Sequence, residues 1–230
     1  MELWQIILVV ISGAVGAWAQ FRLKSTFSKY AKVASSNGIT GSRTAAELLR
    51  INNINDVKIG PIPGSLTDHY AHTATVKQIG LSEPVFNVNS IAAVGVAAHE
   101  AGHAIQYATK YKGLSIRAPL RKFSGTASTF GPYIIMAGLF VPDIPIIMDI
   151  GIVLFSVSVL CSILTLPVEF NASSRALAAL KANNILATPA ELKGAKKVLS
   201  AAALTYVAGA LTNCTTLLGF ILKRKRATRK

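Results

Sequence analysis

Four apolar stretches, separated by more polar segments, dominate the hydropathy pattern of the chain. They cover residues 3–19, 129–140, 144–167 and 199–222. Because a helix needs about 20 apolar residues to cross a bilayer, the last two are long enough, the first lies at the short limit and the second is too short to span alone. The second and third stretches predict a membrane hairpin over 126–168, with a re-entrant element as the alternative. The whole pattern predicts about three to four membrane segments.

The first apolar stretch is predicted to be a retained anchor and not a cleaved signal peptide. A signal peptide carries basic residues before its apolar run. Here they follow the run, at Arg22, Lys24, Lys29 and Lys32. Trp4 and Trp18 lie near its ends, where aromatic side chains anchor a helix at the membrane interface. The same basic residues favour a cytoplasmic position for the part of the chain that follows.

The polar segment between residues 20 and 90 predicts a small mixed structure. Thr44 and Glu47 have the spacing of a capping box and predict a short helix that ends near Asn52. Residues 60–64 combine two glycines with two prolines and predict a turn. Two short strands are expected after the turn, over 66–70 and 74–82.

A helix predicted over residues 90–107 carries the most informative motif of the chain. Ser90 is a suitable N-cap, and the residues after it are small or apolar without a proline. His99 and His103 are four residues apart, so both imidazoles lie on one helix face and can reach the same ion. Glu100 follows the first histidine directly. This H-E-x-x-H spacing is typical of metallopeptidases in which the histidines bind zinc and the glutamate acts as a general base on water.

Composition supports a membrane protein and argues against nucleic acid as a partner. The chain is 51% hydrophobic and only 15% charged, with a mean hydropathy of +0.46. The net charge of +14 includes only one dense basic run, over 223–230, and aromatic side chains are not interleaved with the basic ones as base stacking would require. A basic tail directly after an apolar segment is typical of the cytoplasmic face or of anionic lipid. Cys161 and Cys214 both lie in apolar stretches and predict neither a disulfide nor a zinc ligand.

A catalytic zinc site needs a third protein ligand besides the two histidines. The longer spacing of one class of zinc peptidases would put a third histidine at position 109, which is Thr109. Asp143 and Asp149 fall inside the predicted hairpin, whereas Glu169 follows it. A hairpin that returns to the side it left would bring Glu169 back to the histidines. The alternative for Glu169 is an ion pair with Arg175.

His69 and His72 are the remaining histidines of the chain. We prefer Glu169 as the third ligand because two histidines and a glutamate form a standard hydrolytic zinc site. His69, or its neighbour Tyr70, is instead predicted to take part in catalysis by donating a hydrogen bond to the oxyanion that develops during peptide attack. A surface loop histidine is the alternative for both His69 and His72.

Three segments together resemble the YugP-like family of neutral zinc metallopeptidases, a bacterial membrane family. The segments are Leu66-Thr67-Asp68-His69-Tyr70, the helix over 90–107, and Glu169-Phe170-Asn171-Ala172-Ser173-Ser174-Arg175-Ala176. The third segment is also similar to the E-x-x-A-D signature of HtpX-type and CAAX-protease-type membrane peptidases, in which the glutamate is the third ligand. Glu169 and Ala172 match that signature, but Ser173 replaces its aspartate. If that aspartate orients a histidine ligand, Ser173 would do so more weakly.

The resemblance implies a mainly α membrane protein of the α+β type, with a zincin-like metallopeptidase core, an HExxH helix, a small β-sheet and three to four transmembrane helices. It implies a gluzincin-like zinc metalloendopeptidase with Zn²⁺ as the cofactor, His99, His103 and Glu169 as metal ligands, and Glu100 as the general base. The six expected parts are an N-terminal anchor over 1–20, a catalytic part over 21–125, the hairpin over 126–168, a helix with the third ligand over 169–198, a membrane helix over 199–222 and a basic tail over 223–230.

The expected location is the bacterial plasma membrane, with several passes. We expect the lipid bilayer and a peptide or membrane-protein substrate as partners and no nucleic acid, and a membrane-protein partner or a second copy of the chain stays open. An edge strand beside the metal helix could hold an extended substrate by backbone hydrogen bonds.

Two other classes of protein remain as alternatives: a catalytically inactive membrane scaffold with a structural zinc site, and a metal transporter. A structural zinc site usually has four protein ligands, which argues against the scaffold. A transporter needs ionisable residues in its membrane spans, and Asp143 and Asp149 are almost the only ones in the apolar stretches, which argues against a transporter.

Overall fold

In the computed structural model, residues 3–141 and 143–227 are described, and most of them are helical. The described residues form seven helices and three strands: α1 Leu3–Ala31, α2 Gly41–Ile51, β1 Lys58–Ile62, β2 His69–His72, β3 Lys77–Ser82, α3 Glu83–Phe86, α4 Ile91–Ala108, α5 Lys112–Phe140, α6 Pro145–Ala182 and α7 Pro189–Ala227. The side chain of Trp4 and residues 228–230 of the predicted basic tail lie outside the described part.

The chain divides into two compact units. The site unit consists of Phe21–Tyr111 and Val168–Ala203. The apolar unit consists of Lys112–Pro167 with the chain before Phe21 and after Ala203. Each unit is therefore built from segments that are distant in the sequence.

Three helices among the described residues are long and apolar enough to cross a membrane. They are Ile7–Ala31 in α1, Pro145–Ala182 in α6 and Pro189–Arg226 in α7. Many apolar side chains in the apolar unit are exposed, for example Val10 at 63% and Val153 at 65%. Exposed apolar side chains on long apolar helices are typical of contact with lipid. The count agrees with the lower end of the predicted three to four segments, because α5 is not among them.

Polar side chains connect helices within the apolar unit. Arg224 donates two hydrogen bonds to the carboxylate of Asp149, at 2.7 and 2.8 Å. Asn213 donates to the Ser162 hydroxyl at 2.8 Å. Side chains of this kind hold neighbouring helices together where apolar surfaces have no preference for each other over lipid.

The site unit contains a three-stranded sheet in the order β1-β3-β2. β1 pairs with β3 in parallel and β2 pairs with β3 in antiparallel orientation, so Tyr70 lies opposite Ile79. β2 is an edge strand, and α4 packs beside it. The core between the sheet and the helices contains fully buried aliphatic side chains, including Leu48, Ile79, Leu81, Val85 and Val94.

The two predicted strands are present with shifted ends, and a third strand lies where the sequence predicted a turn. β2 and β3 fall near the predicted segments, but Lys58–Ile62 forms β1, where the sequence predicted a turn over 60–64. Pro61 belongs to this strand. Proline lacks the N–H that a central strand needs, and it is tolerated here because β1 lies at the edge of the sheet.

The start of α2 also differs from the prediction. Thr40 is the N-cap, and its hydroxyl accepts a hydrogen bond from the Arg43 backbone N–H. Thr44, the predicted capping residue, is buried inside the helix and donates to the Thr40 carbonyl. The predicted end near Asn52 is confirmed, because Asn52 is the C-cap.

The helices after α4 are longer than the sequence predicted. Residues 112–122, which precede the predicted hairpin, form the first turns of α5. No helix ends at the predicted boundary after residue 168, because α6 continues through Pro167 from the apolar segment to Ala182. The predicted helix over 169–198 is thus the end of α6, a turn and the start of α7. The practical consequence is that Glu169 lies on a helix continuous with an apolar one.

Candidate metal centre

Three side chains of the site unit meet at one point. His99 and His103 come from α4 and Glu169 from α6, and one potential ligand atom of each lies within 4.8 Å of the others. Oε2 of Glu169 lies 3.2 Å from Nε2 of His99 and 3.5 Å from Nε2 of His103. This is the set of residues that the sequence predicted as metal ligands.

The local structure of α4 follows from its sequence. Ser90 caps the helix by accepting a hydrogen bond from the Ala93 backbone N–H at 3.1 Å, as predicted. Four residues make slightly more than one turn, so the rings of His99 and His103 are neighbours, with centroids 4.7 Å apart.

Gly102 allows α6 to approach α4 closely. A Cβ atom at position 102 would lie 2.6 Å from the backbone oxygen of Ala172, well inside the van der Waals distance. Ala172 itself is fully buried. The small residue on α4 therefore lets the helix that carries Glu169 come within reach of the histidines.

The outer nitrogen of each imidazole is held by a hydrogen bond. Nδ1 of His99 lies 3.1 Å from the Ser173 hydroxyl, and Nδ1 of His103 lies 3.0 Å from Oε1 of Gln106. Both rings therefore turn their Nε2 atoms towards Glu169. Metal-binding histidines usually have their second nitrogen held in this way.

The donor set fits zinc. Two imidazole nitrogens and one carboxylate are the protein ligands of a standard hydrolytic site, which leaves a coordination position for water. Glu169 is only 4% exposed, and a buried carboxylate is costly unless a cation or hydrogen-bond donors accompany it. The imidazoles of His99 and His103 satisfy the Glu169 carboxylate only if they donate an N–H hydrogen bond to it or bind the same cation.

Glu100 is buried next to the first histidine, at 7% exposure. Burial raises the pKa of its carboxyl group above the usual range, although His99 and His103 act in the opposite direction. A raised pKa moves a carboxylate towards the range in which it works as a general base near neutral pH. For His103, burial lowers the pKa of the ring, but the hydrogen bond to Glu169 and the nearby Glu100 outweigh it, and the net shift is upward.

The residues predicted to stabilise the oxyanion lie on β2. His69 is exposed, and its Nδ1 lies 3.0 Å from the Thr67 carbonyl oxygen. It is not part of the three-residue cluster. The Tyr70 hydroxyl and Nδ1 of His72 lie 2.8 Å apart, and burial raises the pKa of Tyr70 to about 12. These contacts do not test the prediction that His69 or Tyr70 donates a hydrogen bond to the oxyanion.

His72 stacks on Tyr107 of α4, with ring centroids 4.0 Å apart. Tyr70 meets the same Tyr107 ring edge to face at 5.5 Å. These rings hold β2 against α4, the helix that carries the two candidate histidine ligands. Asp68 secures the other end of the strand pair, since its carboxylate accepts from the Ser82 backbone N–H and hydroxyl. The segment 66–70 therefore has a clear structural role.

Sequence reasoning missed Gln106 and left Asn171 without a role. Gln106 lies three residues after His103, on the same helix face, and this spacing was the available signal. Its link to α6 is not visible in the sequence. Gln106 Nε2 donates to the Val168 carbonyl at 2.8 Å and to Asn171 Oδ1 at 3.0 Å.

Comparisons with known proteins show the family of the chain. The chain belongs to the family described as "Putative neutral zinc metallopeptidase", whose model matches residues 5–225. It is 43% identical over 217 residues to the protein named "Putative membrane protease YugP" from Bacillus subtilis (strain 168), a match that covers 94% of this chain and 95% of that protein. No solved structure matches the chain. The family resemblance inferred from the three segments is confirmed.

Proposed function

We propose that the protein is a membrane-embedded, zinc-dependent endopeptidase with a zincin-like core of the gluzincin type. The observation that carries this proposal is the convergence of His99, His103 and Glu169, with Glu100 buried beside them. The family and the relative named as a membrane protease support peptide bonds as the substrate class.

His99, His103 and Glu169 would hold the zinc ion through the two Nε2 atoms and the carboxylate. When bound, zinc supplies Lewis acidity, which makes water a better nucleophile near neutral pH and polarises the carbonyl of the peptide bond. Glu100 accepts the proton of the attacking water and passes it to the leaving amine. Its buried position suits this role because it keeps the carboxylate poorly solvated until it takes the proton.

Two features of β2 support a role in substrate binding. The strand lies at the edge of the sheet beside α4, the position at which an extended peptide would add as a further strand. His69 is exposed at its start and remains our candidate for donating a hydrogen bond to the oxyanion, with Tyr70 as the alternative. We propose a peptide or a membrane protein as the substrate.

We further propose the bacterial plasma membrane as the location of the protein, with several passes through the bilayer. The three apolar helices and the relative named as a membrane protease support this. A membrane-protein partner or a second copy of the chain is compatible with the exposed apolar surface, and nucleic acid is not expected.

Replacement of Glu100 by Gln tests the enzyme. The purified full-length protein should bind one zinc ion and cleave a pool of fluorogenic peptides. Glu100→Gln should keep the zinc and lose cleavage by about 10²- to 10⁴-fold, because only the general base is removed. His99→Ala and Glu169→Ala should lose both. Equal cleavage by Glu100→Gln and the parent would contradict the proposal, and zinc retained without cleavage in the parent would favour the inactive scaffold.

A further inference from the structure

A chain of polar side chains runs from the surface of α6 to the metal-binding face of α4. It consists of Arg175, Asn171 and Gln106 and ends on His103. We propose that these three residues form a positioning relay that fixes the ring orientation and the proton position of His103, an inference that rests on the zinc site of the proposed function. The relay leaves Nε2 of the neutral ring free of hydrogen and directed at the metal position.

The first link sets the orientation of the Asn171 amide. Nε of Arg175 donates a hydrogen bond to Asn171 Oδ1 at 2.8 Å. A guanidinium group has donors only, so the oxygen of the asparagine amide and not its nitrogen must face it. The guanidinium carbon also lies 5.9 Å from the centre of the Tyr111 ring, a distance at which the cation is attracted by the ring.

The second link sets the orientation of the Gln106 amide. Gln106 is fully buried, and its Nε2 donates both to Asn171 Oδ1 and to the Val168 carbonyl oxygen. Both partners are acceptors. A flipped amide would place Oε1 against two other acceptor oxygens and would take both acceptors away from the Gln106 NH₂ group, which is costly in a buried site. Oε1 of Gln106 must therefore face His103.

The third link sets the tautomer of His103. Nδ1 of the ring lies 3.0 Å from Oε1 of Gln106, which can only accept. Nδ1 must carry the hydrogen, so in the neutral ring the lone pair is on Nε2, the atom 3.5 Å from Oε2 of Glu169. A ligand nitrogen needs that lone pair in order to bind a metal.

The other ligand histidine lacks this constraint. The partner of its Nδ1 is the hydroxyl of Ser173, which can either donate or accept. The hydroxyl therefore does not select a tautomer of His99. The relay thus acts on one of the two imidazoles, and we expect changes in the relay to affect metal binding more than a change at Ser173.

Zinc affinity of the full-length protein in detergent tests the relay. Gln106→Met keeps the length of the side chain but removes the acceptor, and it should weaken zinc binding about 10- to 100-fold in competition with a chelating dye. The Co²⁺-substituted variant should also show an altered visible absorption spectrum, because the His103 ring is no longer held. A side chain that merely fills space would leave both readouts unchanged.

Asn171 provides a second pair of variants that leaves the buried Gln106 in place. Asn171→Asp keeps an acceptor for both Arg175 and Gln106, and its zinc affinity should stay within about threefold of the parent. Asn171→Leu removes that acceptor and should weaken binding about tenfold or more. Asn183→Leu is the matched control, because Asn183 lies just beyond the end of α6 and donates only to the Ala179 carbonyl. It should bind zinc like the parent.

The outcomes separate the relay from the proposed function. A parent protein that binds zinc, together with Gln106→Met and Asn171→Leu variants that bind it equally well, would overturn the relay alone. If Gln106→Met does not fold, the comparison of Asn171→Leu with Asn171→Asp decides. A parent that binds no zinc would contradict the proposed function and the relay with it.

Discussion

Ser173 occupies the position of the aspartate in the E-x-x-A-D signature that the segment from Glu169 resembles. Its hydroxyl lies 3.1 Å from Nδ1 of His99, the distance of a hydrogen bond. The sequence predicted that a serine here could orient a histidine ligand only weakly, and the contact has the expected geometry. A neutral hydroxyl accepts less strongly than a carboxylate, so it adds less to the basicity of the ring.

Substitutions at Ser173 should therefore move zinc affinity in both directions. Ser173→Ala removes the partner of Nδ1 and should weaken zinc binding by up to about tenfold. Ser173→Asp restores the signature and should bind zinc at least as tightly as the parent, because the carboxylate accepts strongly from the Nδ1 hydrogen. Competition with a chelating dye measures both. Ser174→Ala is the control, since Ser174 is exposed on the next position of the helix. A tighter Ser173→Ala variant would contradict the role of the hydroxyl.

Site residues that are close together in the sequence were easier to predict than those brought together from different helices. His99, Glu100 and His103 lie within five positions of one helix, so their geometry follows from helical periodicity. Glu169 could be inferred only by excluding the other carboxylates. The partners of Gln106 on α6 depend on how two helices pack, and no local pattern predicts that contact.

Close packing of α4 against α6 brings Glu169 to the histidines. The contact depends on Gly102, because a Cβ atom there would lie 2.6 Å from the Ala172 backbone oxygen. A backbone atom cannot rotate away as a flexible side chain can. Any larger residue must separate the two helices, and a separation moves Glu169 relative to both histidines.

Gly102→Ala should accordingly lower both stability and zinc affinity. We expect a loss of about 1–3 kcal/mol in the free energy of unfolding from overpacking, although alanine favours helix by up to about 1 kcal/mol. Denaturant unfolding of the metal-free protein and zinc titration measure the two effects. Gly125→Ala in α5 is the matched control, because a Cβ atom there meets nothing within 4 Å. If Gly102→Ala behaves like this control, close packing is not required at that position.

The start of α7 is tied to the segment after α1 by a single buried carboxylate. Glu191 accepts from the Ser36 backbone N–H at 2.6 Å, from the Ser36 hydroxyl at 3.1 Å and from the Thr188 backbone N–H at 2.9 Å. Such a carboxylate satisfies N–H groups that would otherwise lack a partner at a helix N-terminus.

Removal of this carboxylate should destabilise the site unit. Glu191→Ala leaves two backbone N–H groups without their acceptor, and we expect the free energy of unfolding to fall by about 1–3 kcal/mol or more. Glu191→Gln keeps one amide oxygen and should lose less. Chemical unfolding checks the order of the two variants. Glu47→Ala serves as the control, because its partner Arg50 lies on the exposed surface of α2. A smaller effect for Glu191→Ala than for the control would contradict this role.

Helices and strands were predictable where local composition determines them, and less predictable where contacts between distant segments do. Apolar composition alone identified the helices that are long enough to cross a membrane. β1 was missed because Pro61 and its neighbouring glycines are typical of turns, and only pairing with β3 makes this segment a strand. At the boundary expected before Glu169 no helix ends, since α6 runs through Pro167 to Ala182. A change from apolar to polar residues marks a change of surroundings and does not end a helix.

The whole molecule combines an apolar unit with a unit that holds the candidate metal centre. If the three apolar helices are embedded in lipid, the protein should stay with the membrane fraction after an alkaline carbonate wash, which removes peripheral proteins. Extraction should require detergent. Recovery of most of the protein in the wash supernatant would contradict the predicted spans. A known peripheral protein of the same membranes, which the wash should release, is the control.

Zinc should stabilise the two units unequally, because all three candidate ligands belong to the site unit. A ligand present at about 100 times its Kd stabilises the folded state by about 2.7 kcal/mol, which corresponds to about 100-fold slower hydrogen exchange for amides that exchange only on unfolding of the unit. We expect this slowing for α4 and for residues 169–182 of α6, and little change over 150–160 in the apolar unit. Mass spectrometry of peptides from zinc-loaded and chelator-treated protein in detergent measures the difference. Glu100→Gln should show the same protection, since it keeps the ligands, whereas His103→Ala should show none. Equal slowing in both units would mean that zinc acts on the molecule as one cooperative body, and slowing that persists in His103→Ala would place the ion elsewhere.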